Sequence, residues 1–247
     1  SLKSLIALLN HQTGVWADEV YRVLGYGLML HRQAVEAPIL LGHEAFEPLL
    51  NHLFDCKFAE VQKQCAELLT VLLAVSPRLT SAQQEKLLSV AQSVLDRLRR
   101  LTLTMPKDSS IVSPFVCLLI TAIRVGLKQS HSEMIHFVRR EAALKTAFTM
   151  IRCFRDTEAL ALFTAAAVEV EALLEEFVSG DLMELFIEFG ALNAEEAFVK
   201  QYLTLLCAVK VHFITSSVMA ERISTVLYGA NVKALVNSSA KATLLSL

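Results

Sequence analysis

The amino-acid sequence predicts an all-α chain built as an array of stacked helix pairs. Three observations carry that expectation. Apolar residues are 54% of the 247, above the roughly 45–50% of ordinary globular chains, while only eight glycines and five prolines are present to make turns. The apolar residues recur at helical spacing over nearly the whole length. The pattern also repeats along the chain. The shortage of turn residues excludes a sandwich or barrel. High hydropathy with a net charge of -2 excludes disorder and a strongly basic chain.

The elements follow in order. The chain opens on a periodic run, Leu2, Leu5, Ile6, Leu8 and Leu9. Between Glu60 and Val75 the apolar positions are Val61, Cys65, Leu68, Leu69, Leu72 and Leu73, the stripe of an amphipathic helix. Leu182, Leu185, Phe186 and Phe189 repeat it, as do Phe198, Tyr202, Leu205, Leu206 and Val209. Gly14, Gly42, Gly180 and Gly229 separate periodic runs. Pro48 and Pro114 suit first helical turns, and Pro77 and Pro106 suit gaps. Only Leu101 to Met105 alternates like a strand; directly after a helical run, it reads as a helix end or short extended link. The last residues, Leu244, Leu245 and Leu247, are again apolar. With no cap at either end, the expectation is one repeat domain over 1–247, cut from a longer chain; a processed N-terminus is the alternative.

Internal copies support the array. Leu49, Leu50 and Leu53, then Val61, Cys65, Leu68, Leu69 and Leu72, return as Leu185, Phe186 and Phe189, then Phe198, Tyr202, Leu205, Leu206 and Val209. A weaker copy is Leu144, Phe148, Ile151 and Phe154, then Leu160, Phe163 and Ala167, and a partial one is Val232, Leu235 and Val236. Each unit reads as a short helix, a polar turn and a longer helix, about 40–50 residues in all. The stretch GHEAFEPLLNHLFD from Gly42, followed by AEVQKQCAELLTVLLA from Ala59, resembles one armadillo repeat. The resemblance to the armadillo/HEAT-like helical-repeat superfamily covers Gly42 to Pro77 well and Gly180 to His212 fairly. It implies an all-α right-handed superhelical array of helix pairs or triplets, an armadillo-like solenoid of about four to six units with a general habit of binding along its groove. Armadillo repeats that read extended peptides often carry Trp and Asn on the third helix. Glu67 and Val71, and Thr204 and Ala208, stand at those positions, so peptide reading of that kind is not implied.

Motifs for chemistry are missing. His43 and Glu44 begin like a zinc-protease motif, but Glu47 replaces the second His. His52 and Cys56 offer only two ligands, and His131 and His136 are five apart, a poor match to one face. Gly25 and Gly27 lack the rest of a phosphate loop, and Asn237-Ser238-Ser239 is a chance-level glycosylation match. The five cysteines, Cys56, Cys65, Cys117, Cys153 and Cys207, are scattered in apolar stretches without paired spacing; they read as reduced core residues of an intracellular protein, most simply cytoplasmic. Trp16 and the phenylalanines read as core. No catalytic residue, metal site or cofactor is expected, and no segment reaches the ~20 apolar residues of a membrane span.

Charge is the one functional signal. Residues 86–155 hold 12 basic and 4 acidic groups, net +8; residues 156–199 hold 11 acidic and no basic groups, net -11. Within the acidic block Glu158, Glu169 and Glu176 fall within about 20° of one another at 100° per residue, and Asp181, Glu184 and Glu188 share a face. Within the basic block Lys86 and Arg97 align, with Arg100 one turn on, followed by Arg139, Arg140, Lys145 and Arg152. Three readings stand: solvated faces paired between neighbouring repeats, an acidic site for a protein partner with a basic segment, and a basic strip along nucleic acid. The expectation is a non-enzymatic interaction module or scaffold subunit whose acidic contact set is Glu158, Glu169, Glu176, Asp181, Glu184 and Glu188. The alternative is an RNA-associated subunit of a ribonucleoprotein using the basic set.

Overall fold

In a computed structural model of the chain, the described residues are 53, 59–74, 79–104, 111–179, 182, 197–198, 200–202, 204–205 and 208. Every element among them is a helix: α1 (Ala59–Ala74), α2 (Ser81–Thr104), α3 (Ser113–Lys128), α4 (Ser132–Arg140), α5 (Ala143–Phe154), α6 (Thr157–Glu169) and α7 (Glu171–Ser179). The chain packs as two compact units, Ser1–Met134 and Ile135–Leu247.

In the first unit α3 is the central helix. Its run from Pro114 to Leu127 is buried except for Cys117 and Arg124, which are half-buried. An apolar helix of this kind needs neighbours on several sides, and α1 and α2 pack against it. Cys65, Leu68, Leu69 and Leu73 of α1 are buried, as the periodicity between Glu60 and Val75 predicts. On α2 the buried stripe is Leu87, Val90, Ala91, Val94, Leu95 and Leu98, while Glu85, Ser89, Gln92, Asp96 and Arg99 face solvent. Pro114 sits in the first turn of α3, where a missing N–H is harmless. The alternating Leu101 to Thr104 segment is the helical end of α2.

Local chemistry sets the helix starts. Thr80 and Gln83 form a reciprocal capping box at α2. The Thr80 N–H donates to Gln83 Oε1 at 2.9 Å and the Gln83 N–H to Thr80 Oγ1 at 3.4 Å. The Leu79 N–H donates to Gln129 Oε1 at 2.9 Å, tying the start of α2 to the end of α3.

Three of the described helix stops are made without glycine. Ser130, Ala142 and Arg155 are all left-handed, at φ 54°, 49° and 50°. After α3 the His131 N–H donates to the Gly126 carbonyl at 3.0 Å and the Ser130 N–H to the Leu127 carbonyl at 2.9 Å. This is a Schellman closure with serine where glycine is usual. A left-handed L-residue costs about 1–2 kcal/mol, and glycine returns part of that as unfolded-state entropy. Ser130→Gly is therefore expected to stabilise the chain by about 0.5–1 kcal/mol, read as a rise in the urea midpoint; a fall would show that the serine side chain has a role of its own there.

In the second unit α5, α6 and α7 surround an aromatic core. Phe148, Phe163 and Phe177 are fully buried and meet pairwise at centroid distances of 5.8, 5.9 and 5.3 Å, in tilted or edge-on geometry. Leu144, Phe148 and Ile151 of α5 and Leu160, Phe163 and Ala167 of α6 are buried, while Phe154 of the same sequence copy is half-buried; that copy lies on two consecutive helices. Its corner is tight. The Asp156 N–H closes α5 onto the Ile151 carbonyl at 3.1 Å, and the Asp156 carboxylate caps α6 by accepting from the Ala159 N–H at 3.0 Å.

Further along, Phe198, Tyr202 and Leu205 are helical and buried. Burial pushes the Tyr202 hydroxyl above its ordinary range, since the phenolate is the poorly solvated form. The unfolded chain then releases this proton first, so its contribution to stability is present below about pH 10 and is lost as pH rises above it. The urea midpoint is expected to fall between about pH 9 and about pH 11, and to fall less in Tyr202→Phe; equal slopes would mean that the tyrosine does not sense the fold.

The cysteines meet the core expectation at Cys65, are half-buried at Cys117 and depart from it at Cys153. Cys65, Cys117 and Cys153 are thiols rather than disulfides. Cys65 is buried, but Cys153 is exposed, because its position on α5 lies opposite the face that carries Leu144, Phe148 and Ile151. Cys56, Cys207 and Trp16 lie outside the described residues, as do Gly14, Gly42, Gly180 and Gly229, and Pro48, Pro77 and Pro106. No helix among the described residues is long and apolar enough to cross a membrane.

Candidate functional site

The charged sequence blocks resolve into individual roles. Arg97 of α2 is half-buried and its Nη2 donates to Gln62 Oε1 at 3.0 Å. Gln62 is only 7% exposed, and a buried amide oxygen needs such a donor. This member of the basic set therefore bonds α2 to α1. Lys86 is half-buried and Arg100 exposed on the same helix. In the second unit, Arg140 and Lys145 are exposed and Arg152 is half-buried. Arg140 Nε donates to the adjacent Glu141 at 2.9 Å.

Arg139 joins the two blocks. Its Nε donates to Glu176 Oε1 at 2.6 Å, and Nη2 pairs with the same oxygen. The Glu176 side chain is 13% exposed and that of Arg139 62%. The hydrogen bond and charge of Glu176, with a smaller push from Glu175, raise the Arg139 pKa against a slight opposing effect of burial. The charged form is the favoured one, so the arginine side of the pair holds until pH passes the already high range of arginine.

The acidic set divides as well. Glu158 lies exposed in the first turn of α6, where a negative charge suits the helix dipole. Glu169 is the exposed last residue of α6. Asp181, Glu184 and Glu188 lie outside the described residues. The shared face expected for Glu158, Glu169 and Glu176 does not form. Val170 is extended at φ -120° and ψ 100°, ending α6, and α7 starts at Glu171. Glu176 is thus on a different helix from Glu158 and Glu169, and it turns to Arg139.

Sequence reasoning passed over Glu171 and Glu175, exposed on α7, and the outward face of α6. That helix has exposed Ala165 and Val168 and half-buried Ala161 and Leu162. The uninterrupted apolar run from Ala159 to Leu162 and from Ala165 to Val168 is its signal, since a helix apolar all round cannot bury every side against one neighbour.

Among the described residues, no three His, Cys, Asp or Glu side chains gather as metal ligands. His131 Nδ1 and Thr121 Oγ1 are buried polar atoms without a hydrogen-bond partner. His136 is exposed on α4. His43, Glu44, Glu47, His52, Gly25 and Gly27 are outside the described residues. No protein-family model matches the chain, and no curated protein or solved structure matches it.

Proposed function

We propose that the chain is a non-enzymatic protein-interaction module, a stack of armadillo-like helix pairs that serves as a scaffold subunit and takes a partner with a basic segment against its acidic surface. The carrying observation is the stretch 156–199, with 11 acidic residues and no Lys or Arg. Four of those residues, Glu158, Glu169, Glu171 and Glu175, are exposed on α6 and α7. The helix pair of α5 and α6, with its counterparts in the sequence pattern, supports the stacked arrangement, because such a pair needs neighbours to cover its apolar faces.

Nucleic-acid binding is the less favoured reading. Arg97, Arg139 and Arg140 are engaged within the chain, and a net -11 in the neighbouring block opposes a polyanion.

Crosslinking mass spectrometry on the native assembly names the neighbour. Charge reversal at Asp181, Glu184 and Glu188 is then expected to abolish capture of that neighbour with helicity unchanged by circular dichroism. Undiminished capture overturns the acidic-site reading. A steep salt dependence of RNA binding, lost on changing Arg97, Arg100, Arg139 and Arg140, would establish the alternative.

A further inference from the structure

We draw no further inference here: the strongest candidate, the apolar outer face of α6 at Ala161, Leu162, Ala165 and Val168, is an unpartnered helix face, and nothing in the structure shows what covers it.

Discussion

Phe163→Ala is expected to destabilise the chain by about 3–5 kcal/mol, the range for truncating a fully buried phenylalanine. Phe163 is the ring that α6 contributes between Phe148 of α5 and Phe177 of α7. All three rings are fully buried, and α5 and α6 are joined by a corner of only two residues, Arg155 and Asp156. Backbone that tightly closed cannot move to fill the void, so the cavity term adds to the lost transfer energy. A drop in the urea midpoint at unchanged slope checks it. Phe148→Leu combined with Phe163→Leu should also show a coupling of about 0.5–1.5 kcal/mol, since the rings interact directly. A loss under about 1 kcal/mol in Phe163→Ala would mean that the aromatic triangle is not the centre of the second unit's core.

The apolar side of this fold is written in the sequence at short range. Cys65, Leu68, Leu69 and Leu73, and the set Leu144, Phe148, Ile151, Leu160, Phe163 and Ala167, are spaced for helices and are buried. Pro114 marks the first turn of α3 in the same way. Helix ends are harder to read where the residues that normally signal them are missing. Ser130, Ala142 and Arg155 hold the left-handed conformation that glycine would announce, and Val170 ends α6 with no Gly, Pro or Asn nearby. That single extended residue is why an angular argument carried from Glu158 to Glu176 fails, whereas one helix, α2, carries both Lys86 and Arg97. Net charge by block is also a local property. The partner of Arg139, 37 residues away in Glu176, depends on how α4 and α7 pack, and no spacing rule reaches that far. The alignment at the surface of α6 lies between these cases: its apolar run is plain in the sequence, but which half is covered by α5 and α7 is decided by packing.

Gly126→Val is expected to destabilise the chain by about 2 kcal/mol or more, toward the upper end of what overpacking costs. Glycine inside a helix is unfavourable by about 1 kcal/mol relative to alanine, so its presence in α3 requires a compensating contact. Met134 supplies it. A Cβ placed on Gly126 would lie 2.7 Å from Met134 Cγ, 2.9 Å from Cε and 3.1 Å from Cβ. Met134 is itself fully buried, and its Cβ is fixed to the backbone of α4, so rotation of the outer side chain relieves only part of the clash. The same glycine accepts, through its carbonyl, the His131 N–H that closes α3, which pins the turn and keeps α4 close. Valine adds two further methyl groups where a single carbon already collides. The clash has a specific partner, and that makes it separable from a helix-propensity effect. With Met134→Ala as the background, the loss on introducing valine should shrink by at least about 1 kcal/mol. An equal loss in both backgrounds would place the strain elsewhere in α3. Gly126→Ala discriminates further: propensity alone predicts a gain of about 1 kcal/mol, whereas the contact to Met134 predicts a fall in the urea midpoint, and the sign of that one measurement decides which effect governs the close approach of α3 and α4.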